Sequence, residues 1–110
     1  MKTTVDLARA AQLFHALSDE TRLGILEMLR NGERCVCDLQ DELDAAQSRL
    51  SFHLRVLKEA GLVEVRPDGQ RRWYRLRAEP LVEVDAWLEP YRRHWNERLD
   101  ALERHLERSE

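Results

Sequence analysis

No stretch of this 110-residue chain approaches the roughly 18 consecutive apolar residues that a membrane helix needs. The opening MKTTVDLARAAQ lacks the apolar segment of a secretory signal. Cysteine is scarce. Cys35 and Cys37, the two present, make no disulfide framework and point to a reducing, cytoplasmic compartment without a membrane partner. Internal repeats, low-complexity tracts and linkers are also missing, which leaves a single domain over 1–110. An excess of positive charge is missing too. Against 21 Asp and Glu stand 18 Lys and Arg, a formal net charge of −3, and as a total this argues against nucleic acid. What remains is a globular mix, 43% apolar and 35% charged. At this length about two-thirds of the unfolded surface can be buried without staples.

The charge is unevenly distributed. Residues 46–77 carry eight basic and three acidic side chains, a local +5, while the rest of the chain carries −8. A basic block in an acidic chain is the footprint a phosphate backbone requires, although a solvated face with balancing salt bridges has the same composition.

Hydrophobic spacing predicts a first helix over 5–17, with Leu7, Ala10, Ala11, Phe14 and Leu17 on its apolar face. Ser18 or Asp19 can cap a second, whose face is Leu23, Ile25, Leu26 and Leu29 and which stops at Asn31-Gly32. A short third helix over 38–43 carries the cysteines at its start. Asp44 with Gln47 offers a cap for a fourth, which ends at Ala60-Gly61. Then the period changes. Runs at 62–66 and 72–77 read as strands joined through Pro67-Asp68-Gly69-Gln70. A last helix starts near Glu79, with a kink or restart expected at Pro90. Beyond it Tyr91, Trp95, Leu99, Leu102 and Leu106 form one apolar stripe on a charged helix, which a second copy of the chain would cover. The expected fold is mainly α with a small β-hairpin, a dimeric winged helix–turn–helix in the order α-α-α-α-β-β-α. Segments 1–17 and 79–108 would be dimerisation helices, 38–60 the helix–turn–helix and 62–77 the wing.

At about 100° per residue, Leu50, Leu54 and Leu57 of the fourth helix face inward. Ser48, Ser51, Phe52 and Arg55 face outward, with Gln47 and Arg49 at the N-terminal end. Recognition helices present such positions to base edges: Gln suits adenine, Arg guanine, and Phe a thymine methyl. His53 points toward the core, as a hydrogen-bonded packing residue. Arg66, Arg71, Arg72 and Arg75 surround the hairpin turn and suit phosphate contacts, which position without specifying sequence.

Thiolates ligate soft, thiophilic ions, so Cys35 and Cys37 are a candidate metal site, and two sulfurs are too few for a closed four-coordinate zinc centre. Positions two apart in a regular helix point to opposite sides. One ion can therefore hold both only if the first turn is distorted or not yet helical. Two small buried hydrophobes are the plain alternative. A direct disulfide ranks lower, being strained and uncommon.

The strings FHALSDETRLGILEMLRNGE, CVCDLQ, QSRLSFHLRVLKEAGLVEVR and GQRRWYRLR together resemble the ArsR/SmtB family of metal-responsive bacterial repressors, over roughly residues 10–77. The resemblance implies a homodimer joined through its first and last helices, bound to double-stranded, near-palindromic operator DNA and released by an inducer. The CVCDL string is similar to the site of the arsenical-resistance type, which implies Cys35 and Cys37 as ligands of As(III) or Sb(III). Such repressors often have a third cysteine where this chain has Gln40, and many relatives place a capping Ser where it has Ala46.

His94 and His105 resemble half of a zinc site on the last helix of other members, a second and weaker candidate metal pair. Arg92 and Arg108 occupy the positions where that site needs carboxylates, so exposed helix histidines are the preferred reading. The function expected is a transcriptional repressor of a metalloid-resistance operon, without organic cofactor or catalysis. A Cd/Pb/Zn-responsive or thiol-redox-responsive repressor of the same fold is the alternative. A dithiol enzyme is a distant one, since no Cys-x-x-Cys spacing or catalytic base is present.

Overall fold

Aspartates start the first two helices. In the computed structural model, which describes residues 6–108, the Asp6 carboxylate accepts from the Ala8 and Arg9 amides and opens α1 (Leu7–Leu17). Asp19 accepts from the Arg22 amide and opens α2 (Glu20–Leu29). Position 5, the expected start of the first helix, lies outside the described residues. Then follow β1 (Arg34–Cys35), α3 (Val36–Leu43), α4 (Gln47–Glu59), β2 (Val63–Asp68), β3 (Arg71–Leu76) and α5 (Leu81–Arg108). This is the expected winged helix–turn–helix with one addition. The two-residue β1 pairs antiparallel with β3, Arg34 opposite Tyr74 and Cys35 opposite Trp73, giving a three-stranded sheet in the order β1-β3-β2.

Side chains of α1–α4, β2 and β3 meet in one core, among them Leu13, Ile25, Leu39, Leu50, Leu54, Leu57 and Leu62, each 2% exposed or less, and Leu81 and Val84 of α5 pack against it. Ala10, as expected, and Leu13 and Ala16 are the buried positions of α1, while Leu7 and Phe14 are exposed. Leu23 is exposed, while Arg22 beside it is buried. On α2, then, the expected apolar face is off by one side chain, because Arg22 is drawn inward by its hydrogen bonds.

Two expectations fail locally, and a third in part. Asp44 does not cap α4; it closes α3 in the left-handed region at φ 48°, and Ala46 takes the N-cap position of α4 without a side-chain hydrogen bond. The hairpin turn is two residues, not four. Pro67 and Asp68 belong to β2, opposite Arg72 and Arg71, and proline is admissible because β2 is an edge strand. Gly69 at φ 63° supplies the left-handed turn position. Finally, α5 does not restart at Pro90 but runs through it for 28 residues. Arg92 pairs with Asp85 and Glu89, bracketing the proline, and Trp87 stacks on Tyr91 at 5.0 Å. These contacts hold the turns on both sides of the missing amide. The Arg92 pairing also holds the Asp85 carboxyl below its ordinary range.

Candidate DNA interface and thiol site

Helix α4 presents the face that its periodicity predicts. Gln47, Ser48, Arg49, Ser51, Phe52 and Arg55 are all exposed, while Leu50, His53, Leu54 and Leu57 are buried. Phe52 is 47% exposed, and the Arg55 guanidinium lies 5.8 Å from its ring centre. His53, 6% exposed, is the expected packing histidine. Its Nδ1 accepts a 3.0 Å hydrogen bond from Arg22, since a guanidinium only donates. Arg22 also donates to the Ala16 and His15 carbonyls. One buried guanidinium thereby ties α1 and α2 to the middle of α4 and fixes how its outer face is aimed. Asp19 lies 3.8 Å from the same imidazole nitrogen. Its carboxyl is held below the ordinary value, chiefly by the Arg22 amide.

The basic block divides by pairing. Arg66 makes a two-pronged bond to Glu33, which lowers the Glu33 carboxyl and strengthens the Arg66 charge. Arg75 is paired with Glu64 across the hairpin, and Arg77 lies 3.7 Å from Glu79. Among the described residues, Arg49, Arg55, Arg71 and Arg72 have no carboxylate partner. Two of these, Arg71 and Arg72 at the start of β3, line a cavity of about 300 Å³ whose other side is formed by Gln47, Ser51 and Leu54 of α4.

Both cysteines border that cavity, together with Gln47 and Ser51 of α4 and Arg71 and Arg72 of β3. Cys35 is the N-cap of α3 in an extended conformation (φ −80°, ψ 163°), and its Sγ accepts from the Asp38 amide at 3.3 Å. The pair therefore straddles the helix start, the arrangement that lets two cysteines two apart face one point. Cys35 is 3% exposed whereas Cys37 is exposed, so they are not two buried hydrophobes. The two sulfurs are joined as a disulfide, the bridge that sequence considerations ranked low. It forms because Cys35 is not yet helical. The Asp38 carboxylate completes a group whose ligand atoms lie within 4.8 Å of one another. No other group of three such donors occurs among the described residues. His94 and His105 are exposed on α5 and are not brought into one.

A family model described as "Bacterial regulatory protein, arsR family" matches residues 19–65, from the cap of α2 into β2. The arsenical resistance operon repressor of Escherichia coli strain K12 is 41% identical over 102 residues, 88% of this chain and 84% of that protein. The chain belongs to the ArsR family. A cadmium resistance transcriptional regulatory protein CadC homolog of Staphylococcus aureus is 40% identical over 75 residues, 67% of this chain and 62% of that protein. The solved structure of an ArsR-like transcriptional regulator from Rhodococcus sp. RHA1 superposes with a TM-score of 0.70 at 33% identity, covering 87% of this chain and 91% of that one. The ArsR family is one of DNA-binding transcriptional regulators, not enzymes. No described helix of this ArsR protein is long and apolar enough to cross a membrane.

Three members of this ArsR site escape sequence reasoning. Asp38 stands three positions after Cys35, a spacing that returns to the same side of a helix. Gln70 borders the cavity but reads as a plain turn residue. Arg22 gives no signal, since a lone arginine between apolar neighbours reads as exposed.

Proposed function

We propose that this ArsR-family repressor is a cytoplasmic homodimer that holds a near-palindromic operator and is released by As(III) or Sb(III) at Cys35 and Cys37. One observation carries the reading: Cys35 caps α3, and the cysteine pair borders the same cavity as Gln47 and Ser51 of α4 and Arg71 and Arg72 of β3. In each protomer α4 enters a major groove, with Gln47, Ser48, Arg49, Ser51, Phe52 and Arg55 toward the bases. Arg71 and Arg72 take phosphates, and Arg66 joins them only by leaving Glu33. Bound As(III) supplies a soft, three-coordinate centre that draws sulfur ligands to one point. The donors fit it in part: two sulfurs are close enough to bond to each other, with the harder Asp38 carboxylate beside them. Ligation would re-form the turn at Cys35 that starts α3, the helix that precedes α4 in the helix–turn–helix. The arsenical-resistance relatives support the choice of ion. Asp38 supports a cadmium, lead or zinc response as the alternative.

The homodimer is supported by α5, which buries none of its own side chains. Tyr91, Trp95, Leu99, Leu102 and Leu106 are all exposed there, a stripe that a second copy covers. His94 and His105 stay a weaker metal pair, with Arg92 committed to Asp85 and Glu89 where a carboxylate ligand is needed.

The disulfide favours a second reading, in which oxidation of the two thiols is itself the signal. A fluorescent operator decides between the ions and the oxidant. Reduced protein on DNA is titrated with arsenite, antimonite, cadmium, lead and zinc, and separately with diamide. Release at the lowest concentration is expected for arsenite and antimonite; release by diamide alone would replace the metalloid reading with the redox one.

A further inference from the structure

Cys35 and Cys37 leave a trigonal As(III) centre one donor short, and their surroundings select the kind of donor that completes it. The carboxylate in reach, Asp38, offers a hard oxygen, which suits a thiophilic ion poorly beside two thiolates. The adjoining cavity of about 300 Å³ is of a size that holds small ligands. The two cysteine sulfurs stand on one part of its wall. On another stand Arg71 and Arg72, both exposed and without carboxylate partners among the described residues. A molecule that matches both parts carries a thiol at one end and carboxylates at the other.

We infer that the third sulfur comes from a low-molecular-weight anionic thiol of the glutathione class, seated in this cavity with its carboxylates on Arg71 and Arg72. The inference rests on the arsenite reading above. Its chemistry balances with that thiol alone. Two thiols reduce the Cys35–Cys37 bridge, whose S–S bond takes up two electrons and two protons, and they leave as their own disulfide. Arsenious acid, As(OH)3, then exchanges three hydroxyls for three thiols, two from the protein and one from the small molecule. Three As–S bonds form, three As–O bonds break and three waters depart, with arsenic remaining As(III). The seated thiol also occupies Gln47, Ser51, Arg71 and Arg72, side chains proposed to meet DNA. Induction then includes direct competition at the reading face.

The test reads arsenite binding without DNA, by near-ultraviolet sulfur-to-arsenic absorption and by X-ray absorption at the arsenic edge. Reduced, thiol-free protein receives arsenite alone, then with glutathione, with 2-mercaptoethanol at equal concentration, or with S-methylglutathione. Glutathione should tighten binding at least about tenfold more than mercaptoethanol, the scale of a charge-assisted hydrogen-bonded pair. S-methylglutathione should do nothing, and the arsenic shell should hold three sulfurs only when a thiol is supplied. In Arg71→Gln/Arg72→Gln the advantage of glutathione over mercaptoethanol should vanish. Equal action of the two thiols, or indifference to the arginines, overturns the inference. So does a two-sulfur, one-oxygen shell that needs no thiol and is lost in Asp38→Asn. If arsenite fails to bind under every condition, the arsenite reading itself fails.

Discussion

Arg22 concentrates more structure than any other polar side chain here. It is 5% exposed and donates to two carbonyls of α1 and to His53 of α4. Truncation leaves buried acceptors unpaired, so Arg22→Leu should cost about 3 kcal/mol in urea unfolding. It should also loosen operator binding, because α4 loses its lateral anchor. Asp19 gives the neighbouring pH dependence. Its folded-state carboxyl titrates below the ordinary value of 3.8, chiefly through the Arg22 amide. The stability it contributes is therefore present above the ordinary carboxylate range and is lost as pH falls through the depressed value. Asn caps helices as well as Asp does but does not titrate there. The stability gap between wild type and Asp19→Asn, followed by urea unfolding from about pH 7 to about pH 2, should shrink on the acid side. A gap that is constant with pH would show that this carboxylate is not linked to folding.

At the scale of elements, α4 and the hairpin divide recognition between them. Gln47→Ala or Arg49→Ala should cost about 1–3 kcal/mol of discrimination between operator and altered sequences. Arg72→Gln should weaken binding to all sequences alike and reduce the salt slope by about one unit. Fluorescence anisotropy at several salt concentrations separates the two effects. Much of this was legible beforehand. The 3.6-residue period of Leu50, Leu54 and Leu57 determined which α4 side chains face out, and His53 followed from the same geometry. The illegible parts are those where tertiary contacts outweigh local preference. Two residues of β1 carry no periodicity of their own and exist because β3 offers a free edge at Trp73 and Tyr74. Pro67 reads as a turn residue yet pairs in a strand, since the edge of the sheet tolerates it. Leu23 and Arg22 exchange inside and outside because three hydrogen-bond acceptors await the guanidinium.

For the whole molecule, the net charge of −3 hides a division of surface. Unpaired cations lie along α4 and β3, while acidic groups dominate elsewhere and limit indiscriminate binding to nucleic acid. The long α5 makes the second division. Phe14 of α1 packs edge-on against Trp87 at 5.4 Å, and the aromatic contacts continue through Tyr91 to Trp95. Beyond them the helix projects without a core of its own. Trp95→Glu/Leu99→Glu should convert a dimer to monomers in sedimentation while leaving the helical content and the α1–α4 core intact. Operator affinity should fall with it, because two linked half-sites become one. Coupling the cysteine pair to that assembly needs little energy, since a hundredfold loss of operator affinity corresponds to about 2.7 kcal/mol. The decisive measurement is arsenite-driven release of a fluorescent operator from reduced wild type and from Cys35→Ser/Cys37→Ser. Both should bind the operator, and arsenite should free it from the wild type alone. Release from the double variant at the same arsenite concentration would place the inducer site elsewhere in the molecule.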